Sequence, residues 1–241
     1  MSYNMFLLLL IPIVQACDFV ELPDISANKD LIYVVRNHSS NREWNKGFTL
    51  QNMNKTLHSK VIQHVLPQSR PADFKSMGFA EFLEKHILWY DTKPLNTTKE
   101  HRAIMTFDEY PRLDIFGSLT NGHSCEHTRT HNGHQWKDYF IGTKGAGVNF
   151  HYHSEVFHQL VSGKKLWIIL ENLSTIQDSH GPRDAIAPKI NKIMQLDGVK
   201  TCIIGPGDII HVPQHTIHGI FNMETSISTA CLIAPKEELN T

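Results

Sequence analysis

The chain has 241 residues, with 23 basic and 24 acidic side chains, and 41% of its residues are hydrophobic. Near neutrality provides no concentrated positive surface, so a nucleic-acid partner is not expected. The composition is that of a globular protein, and the length suits one large domain or one domain with a modest N-terminal extension. The 16 histidines are many for this size, which makes them the first candidates for a functional site.

Residues 1–16 are typical of a secretory signal peptide. Met5 to Val14 is an apolar run, shorter than the roughly 20 residues that span a bilayer, and Val14-Gln15-Ala16 offers the small-residue pattern of a cleavage site. The alternative is a buried first strand or helix, because MSYN carries no Lys or Arg. No later apolar run reaches membrane length, so we expect no membrane span in the mature chain.

Four N-x-[ST] sequons follow, each a glycosylation acceptor in a secreted protein. They lie at Asn37, Asn54, Asn96 and Asn172. With the signal peptide they predict a glycoprotein of the secretory pathway, either in the endoplasmic reticulum lumen or secreted. The final EELNT matches no KDEL-type retrieval signal, so both destinations stay open.

Four cysteines are an even number for an oxidising compartment. Cys202 and Cys231 lie in strand-like runs, where they either pair with each other or stay free as small buried hydrophobes. Cys125 lies in GHSCEHTRTHNGH, which suggests a zinc site at first sight. Its spacing fits no structural zinc pattern, so we expect a solvated polar loop there.

Along the chain, apolar spacing predicts a helix over DFKSMGFAEFLEKHILWY, residues 73–90, with Asp73 as its N-cap. VIQHVL and RAIMTF, on either side, predict strands. From Trp136 onward short β-rich runs are separated by Gly, Pro or polar turns, apart from a helix expected around Pro188 to Gln195. The runs predicted as strands are WKDYFIG, VNFHYH, VFHQLV, KLWIIL, KTCIIG, DIIHVP, HGIFNM and SISTACLIA. They predict a mainly β protein, a small barrel or sandwich with the N-terminal helix packed outside.

Three histidines are candidate metal ligands. In FHYHSEVFHQLVSGKKLW, His151 and His153 are two residues apart, and on a strand such side chains point to the same face. In GPGDIIHVPQHTIHGIFN, a turn and a strand lead to His218. Imidazole suits Fe(II), Zn(II) or Mn(II). The alternative is that all three are satisfied polar residues on a β surface.

Two spaced motifs resemble a known superfamily. Gly145-x5-His151-x-His153 and Gly207-x5-Pro213-x4-His218-x3-Asn222 resemble the paired cupin motifs, although His215 stands where cupins prefer Gly. With G-x-K-x-W after the first motif, residues 137 to 233 resemble the jumonji-C (JmjC) branch. The resemblance implies a double-stranded β-helix, the cupin or JmjC jelly roll, holding one divalent metal on His151, His153 and His218. Together with the leader-like start, this gives three parts of the chain. Residues 1–16 are the signal peptide, residues 17–135 are helices and strands that pack on the barrel, and residues 136–236 are the barrel core.

The same resemblance assigns roles to residues near the ligands. In active members of the branch the middle ligand is Asp or Glu, and with two His it leaves positions open for 2-oxoglutarate and oxygen. Here that ligand is the neutral His153, which argues against turnover. Lys165 is implied to bind the distal carboxylate of 2-oxoglutarate, with Lys164 facing the other way; the alternative is a solvated cation.

Further residues refine this expectation. His158 is implied to lie deeper in the barrel as a co-substrate contact or a fourth ligand. Val148 stands where hydroxylases often place Ser or Thr for the same carboxylate. Trp167 and Asn222 are expected to be structural.

Three functions compete on these residues. The first is a metal-binding JmjC protein of the secretory pathway with weak or no turnover, working through a protein partner. The second is an active Fe(II)- and 2-oxoglutarate-dependent oxygenase acting on protein side chains. The third is a three-His cupin dioxygenase for a small molecule. Lys165 favours the second over the third, whereas His153 and Val148 favour the first over the second.

Overall fold

A computed structural model of the chain describes residues 17–26, 28–37, 49–58, 61–65, 75–88, 104–107, 130–131, 134–135, 139–171 and 193–233. Several sequence predictions lie outside these residues: the signal peptide, the loop around Cys125, the sequons at Asn96 and Asn172, and most of the helix expected around 188–195. No helix within the described ranges is long and apolar enough to cross a membrane.

Two facing β-sheets form the body of the fold. In chain order the strands are β1 (Val20–Leu22), β2 (Tyr33–Val35), β3 (Val61–Val65), β4 (Lys75–Gly78), β5 (Ile104–Phe107), β6 (Thr130–His131), β7 (His134–Gln135), β8 (Tyr139–Gly142), β9 (Gly147–His151), β10 (Glu155–Ser162), β11 (Lys165–Leu170), β12 (Val199–Ile204), β13 (Ile209–Val212), β14 (Ile217–Asn222) and β15 (Ser226–Ile233). The larger sheet has the order β1-β2-β13-β10-β15-β8-β5-β3-β4, and the smaller has the order β12-β11-β14-β9. A separate ribbon pairs β6 with β7. This is the mainly β jelly roll that the sequence predicts.

The core lies between the two sheets. Strand side chains alternate between faces, so each strand of the larger sheet sends every second residue inward. On β10 the inward residues include Val156 and Leu160, which pack with Trp167 and Ile169 of β11 in one buried cluster. Burying side chains of this size stabilises a fold by roughly 1.5–3 kcal/mol each. The sheets are therefore held together by apolar contacts, and polar side chains in the same space need their own partners.

Helices cover the outer face of the larger sheet. Helix α1 (Leu50–Leu57) begins at Thr49, whose Oγ1 accepts a hydrogen bond from the backbone N–H of Asn52. Helix α2 (Phe79–Phe82) continues into a π-helical segment, Leu83–Leu88. Their apolar residues form one buried cluster with the sheet residues Ile141, Val161 and Ile227. The prediction that helical structure packs outside the barrel is confirmed.

The helix predicted for residues 73–90 is wrong in its first part. Residues 75–78 form strand β4, which pairs antiparallel with β3. The sheet supplies backbone partners that local spacing cannot reveal, so tertiary pairing overrides the helical pattern until Gly78. The helix begins only at Phe79.

The strands predicted beyond residue 136 are present, with one difference that affects the site. Strand β9 ends at His151, so His153 lies outside it. The argument that both histidines share one face of one strand is therefore wrong in detail, although their side chains still meet.

The disulfide pairing also differs from both sequence alternatives. Cys17 is bonded to Cys202 across 185 positions of sequence, and Cys231 is disulfide-bonded as well. Cys202 lies on β12 of the smaller sheet, whereas Cys231 packs with Tyr33 and Phe157 on the outer side of the larger sheet. Because Cys202 is bonded to Cys17 and Cys231 is also disulfide-bonded, neither the mutual pair nor two free thiols is correct.

Candidate metal centre

The site begins with two histidines on neighbouring strands of the smaller sheet. His151 of β9 lies directly opposite His218 of β14, and their ring centroids are 4.3 Å apart. The ring of Trp167, on β11, stacks on His218 at 5.5 Å. Antiparallel pairing alone thus brings two imidazoles together from positions 67 residues apart in sequence, on a rigid wall of the barrel.

A β-bulge aims His151 into the interior. Between the pairs His218–His151 and Ile220–Val148, β14 advances by two residues and β9 by three. The extra residue lets Val148 and His151 both line the cavity, which regular alternation would forbid for positions three apart. Bulges of this kind commonly re-aim a side chain next to a functional site.

His153 reaches the same point from the segment after β9. The carbonyl oxygen of His153 accepts a hydrogen bond of 2.9 Å from the backbone N–H of His215, which has a φ of 63°. This left-handed conformation is costly for a residue with a side chain, and such strain concentrates at functional sites. His215, which stands where cupins prefer Gly, thus holds the backbone segment that carries His153 through this hydrogen bond.

Hydrogen bonds fix the tautomers of two of the three rings. His218 Nδ1 lies 2.8 Å from the carbonyl oxygen of Thr216, and His153 Nδ1 lies 2.6 Å from that of Ser154. A carbonyl oxygen only accepts, so each Nδ1 carries the proton and donates it. The lone pair is then on Nε2, and His218 Nε2 is buried with no hydrogen-bond partner. Metal-binding histidines are typically oriented in this way.

The three rings fit one divalent ion. One ligand nitrogen from each of His151, His153 and His218 lies within 4.8 Å of the others. Burial lowers the pKa of His153, and burial together with the neighbouring histidines lowers that of His218 well below its usual value. Neutral imidazole is the form that binds a metal. The unpartnered Nε2 of His218 is the buried polar atom that such an ion would satisfy.

A cavity of about 80 Å³ extends inward from these histidines, between the two sheets. The smaller sheet contributes Val148, Trp167 and Ile220 to its wall, and the larger sheet contributes Phe140 and Val156. Apolar side chains thus surround the inner part of the cavity. Three polar side chains, those of His158, Lys165 and Asn222, interrupt that lining.

Lys165 is buried and lies at the inner end of the site. Its Nζ donates to Ser228 Oγ at 2.6 Å and lies 3.5 Å from His158 Nε2. Burial lowers the pKa of Lys165 from 10.5 to about 7, because the ammonium loses its water. Lys164 points outward and pairs with Glu224, as strand alternation predicts. The alternative of a solvated cation at Lys165 therefore does not hold.

His158 lies where the sequence predicts, deep in the barrel, but beside Lys165. Its ring is 5.1 Å from that of Trp167 and 6.0 Å from that of Phe140. Burial lowers its pKa well below the usual value, and the charge of Lys165 adds to this effect. It does not belong to the group of three ligand nitrogens. Its position supports a contact to a bound molecule and gives no support to a fourth ligand.

Two residues expected to be structural differ in what they do. Asn222 Oδ1 accepts a hydrogen bond from Ser226, and its Nδ2 donates to the carbonyl oxygen of Thr143; a side chain at Gly142 would collide with it. Asn222 thus has the structural role that the sequence predicts. Trp167 is different, because its buried Nε1–H lacks a hydrogen-bond partner and its side chain lines the cavity.

Sequence reasoning missed Ser228 as the partner of Lys165 and His215 as the support of His153. The signal for Ser228 was the SIS run, in which Ser226 and Ser228 point inward from a strand that is otherwise mostly apolar. The signal for His215 was its departure from Gly in the motif.

Two facing sheets that enclose a group of three histidines define a cupin-type protein with a candidate divalent-metal site. The sequence model of the JmjC domain matches residues 120–240 of the chain. The match covers half of the 241 residues, and the chain belongs to the JmjC domain family. None of the curated proteins compared with the chain matches it.

The low pKa of Lys165 predicts a pH-dependent stability. Between about pH 7 and 10.5, Lys165 is more fully protonated in the unfolded chain than in the folded, metal-free protein. The free energy of unfolding therefore rises with pH over this range. The slope contributed by this group is at most about 1.4 kcal/mol per pH unit. We expect denaturant unfolding of metal-free Lys165→Met, with disulfides intact, to lack this rise, whereas Lys164→Met keeps it. Identical pH profiles for wild type and Lys165→Met would contradict the burial of the cation.

Proposed function

We propose that this JmjC protein binds one divalent metal, Fe(II) or another ion such as Zn(II) or Mn(II), through His151, His153 and His218, and that it has weak or no turnover of 2-oxoglutarate. The observation that carries the proposal is the convergence of three imidazoles, one with a buried Nε2 that has no hydrogen-bond partner among the described residues. On this proposal the protein acts in the secretory pathway by binding a protein partner.

The expected weakness of turnover rests on the chemistry of His153. A carboxylate at this position donates electron density and a negative charge to iron, and a neutral imidazole provides less of both. The metal is then more electron-poor, which disfavours the oxidised states that oxygen activation requires. Val148 adds to the argument, because it presents a methyl-bearing side chain to the cavity where a hydroxyl would bind a carboxylate.

An active oxygenase acting on protein side chains is the second candidate, and Lys165 is the observation that favours it. Its Nζ is buried at the inner end of the cavity with Ser228 as a partner. A dicarboxylate whose far end meets Lys165 would stabilise the ammonium and raise its pKa. Charge-assisted contacts of this type are strong in a water-poor cavity.

The proposed compartment rests on the start of the chain and on its cysteines. Disulfides persist in oxidising compartments, and Cys202 and Cys231 are both disulfide-bonded. Of the two sequons within the described residues, Asn37 is exposed and Asn54 is partly exposed on α1. The leader-like start and the His-x-His variant together resemble jumonji domain-containing protein 8, a lumenal member of the branch.

Removing two ligands tests the metal site. His151→Ala combined with His218→Ala should abolish stoichiometric metal, measured by elemental analysis of the purified glycoprotein. It should also remove the stabilisation that metal binding contributes to the folded state, seen as a lower Tm in the presence of metal. His58→Ala changes an exposed histidine at the C-cap of α1 and is the control that should keep full occupancy. Occupancy that survives the double substitution would place the site elsewhere, with the GHSCEHTRTHNGH loop as the first candidate.

Succinate formation separates the two candidate functions. We expect little conversion of 2-oxoglutarate to succinate by the iron-loaded wild type, and more uncoupled conversion by His153→Asp, which restores a carboxylate ligand. In calorimetry, Lys165→Ala should weaken any 2-oxoglutarate binding by roughly 1.5–3 kcal/mol, the scale of a hydrogen bond to a charged group. Robust, substrate-stimulated succinate production by the wild type would instead establish the oxygenase. Flat calorimetric traces for both wild type and His153→Asp would remove 2-oxoglutarate from the function.

The compartment is tested on protein expressed from the full chain in eukaryotic cells. We expect a mature N-terminus near Cys17, and glycosidase-sensitive sugar on at least two of Asn37, Asn54, Asn96 and Asn172. Non-reducing peptide mapping should recover Cys17 linked to Cys202. A cytosolic protein that keeps Met1 and carries no glycan would refute the proposal.

A further inference from the structure

The charges around the candidate metal centre do not balance. The three histidines are neutral ligands, and Lys165 adds a cationic group to the same cavity. Among the described residues that line the cavity, none is Asp or Glu. A divalent ion at the centre would therefore have a cationic group nearby, and no described Asp or Glu of the cavity lining would offset its charge.

The carboxylates closest in sequence to the inward-facing residues are engaged elsewhere. Glu155 precedes the inward Val156, but its Oε1 lies 3.0 Å from His211 Nε2. His211 Nδ1 faces the carbonyl oxygen of Leu31 at 2.7 Å, so both ring nitrogens are committed to acceptors on the outer side. Asp208 pairs with Arg36 at 2.8 Å. Neither carboxylate is placed to compensate a metal charge.

One donor in the cavity is still without an acceptor. Trp167 is almost fully buried, its indole N–H has no hydrogen-bond partner among the described residues, and its ring stacks on His218. A buried donor without a partner is unfavourable, and an anion beside the histidines would satisfy it. The volume of about 80 Å³ is several times the roughly 10–15 Å³ that one water needs, so the cavity has room for a small ion.

We propose that the three-His centre takes a small exogenous anion of the halide or formate class as a further metal ligand, held by the indole N–H of Trp167 and by the positive charge of Lys165. The anion supplies the negative charge that a carboxylate at position 153 would supply. Burying a divalent ion without such compensation is strongly unfavourable. This inference rests on the proposed metal site and adds a ligand class to it.

The test uses the full glycosylated protein loaded with Co(II), whose visible absorption reports the ligands of the ion. Formate, chloride and azide are titrated separately at constant ionic strength set with perchlorate. We expect a saturable spectral change with one anion per metal. Competition between formate and azide for the same change would show that they share one position.

Two substitutions at one position isolate the charge. His153→Asp and His153→Asn place oxygen ligands of equal size on the metal, and only the first carries a negative charge. We expect His153→Asp to bind the anion about tenfold more weakly than His153→Asn, which corresponds to about 1.4 kcal/mol. Equal anion affinities for these two variants would overturn the inference, because the missing charge would then have no role.

The residues that hold the anion have their own matched controls. Trp167→Phe keeps an aromatic ring on His218 but removes the N–H, and it should weaken anion binding while leaving Co(II) occupancy unchanged. Lys165→Gln should weaken anion binding, and Lys164→Gln, which changes an exposed neighbour, should not. Unchanged anion affinity in both Trp167→Phe and Lys165→Gln would overturn the assignment of the anion to this cavity.

The outcomes separate this inference from the metal site itself. A protein that binds no Co(II) would overturn the proposed function and this inference with it. A protein that binds Co(II) but shows no spectral response to the simple anions overturns the inference alone. A response to 2-oxoglutarate without one to formate, chloride or azide also overturns it, because the open position would then be built for the co-substrate.

Discussion

Loss of water between the two sheets is the constraint on which the rest of the site depends. The apolar contacts that hold the sheets together also remove solvent from His158, His218 and Lys165. Each group responds by favouring its neutral form, and the pKa of Lys165 falls to about 7. The site is therefore a set of nitrogen ligands beside a lysine whose charged form is disfavoured by burial, and that state follows from packing as much as from the identity of the residues.

Two irregularities of the backbone position the ligands within that dry space. A bulge in β9 turns His151 inward, and the left-handed residue His215 holds the segment that carries His153. Regular strands would have placed neither imidazole correctly. Backbone strain at His215 persists because the surrounding structure, including the hydrogen bond to the carbonyl of His153, holds this residue in place. The strained conformation of His215 thus helps to keep His153 beside the other two histidines.

Much of this could be predicted from the sequence, for a physical reason. Short apolar runs between turns, the two-residue spacing of His151 and His153 and the turn before His218 are local patterns, and they identify the strands and the three histidines. Side-chain partners such as Ser228 for Lys165 depend on which strands become neighbours in the folded protein. The pairing between β3 and β4 likewise could not be predicted from the spacing of nearby residues. The Cys17–Cys202 disulfide joins residues 185 apart, a contact set only by the final position of the N-terminal segment against β12.

The sign of the charge on each side of the larger sheet is set by strand register. On β10 the residues facing inward include His158, and those facing outward include Glu155, which His211 of β13 holds in place. Because side chains alternate with a period of two, a slip of one residue would bring Glu155 into the cavity and move His158 out of it. Asp208 is buried, pairs with Arg36 and does not line the cavity. Among the described residues, the excess of cationic over acidic groups that line the cavity is thus built into the pairing of the strands. This excess is the basis for proposing that an anion from solution balances the charge of the metal.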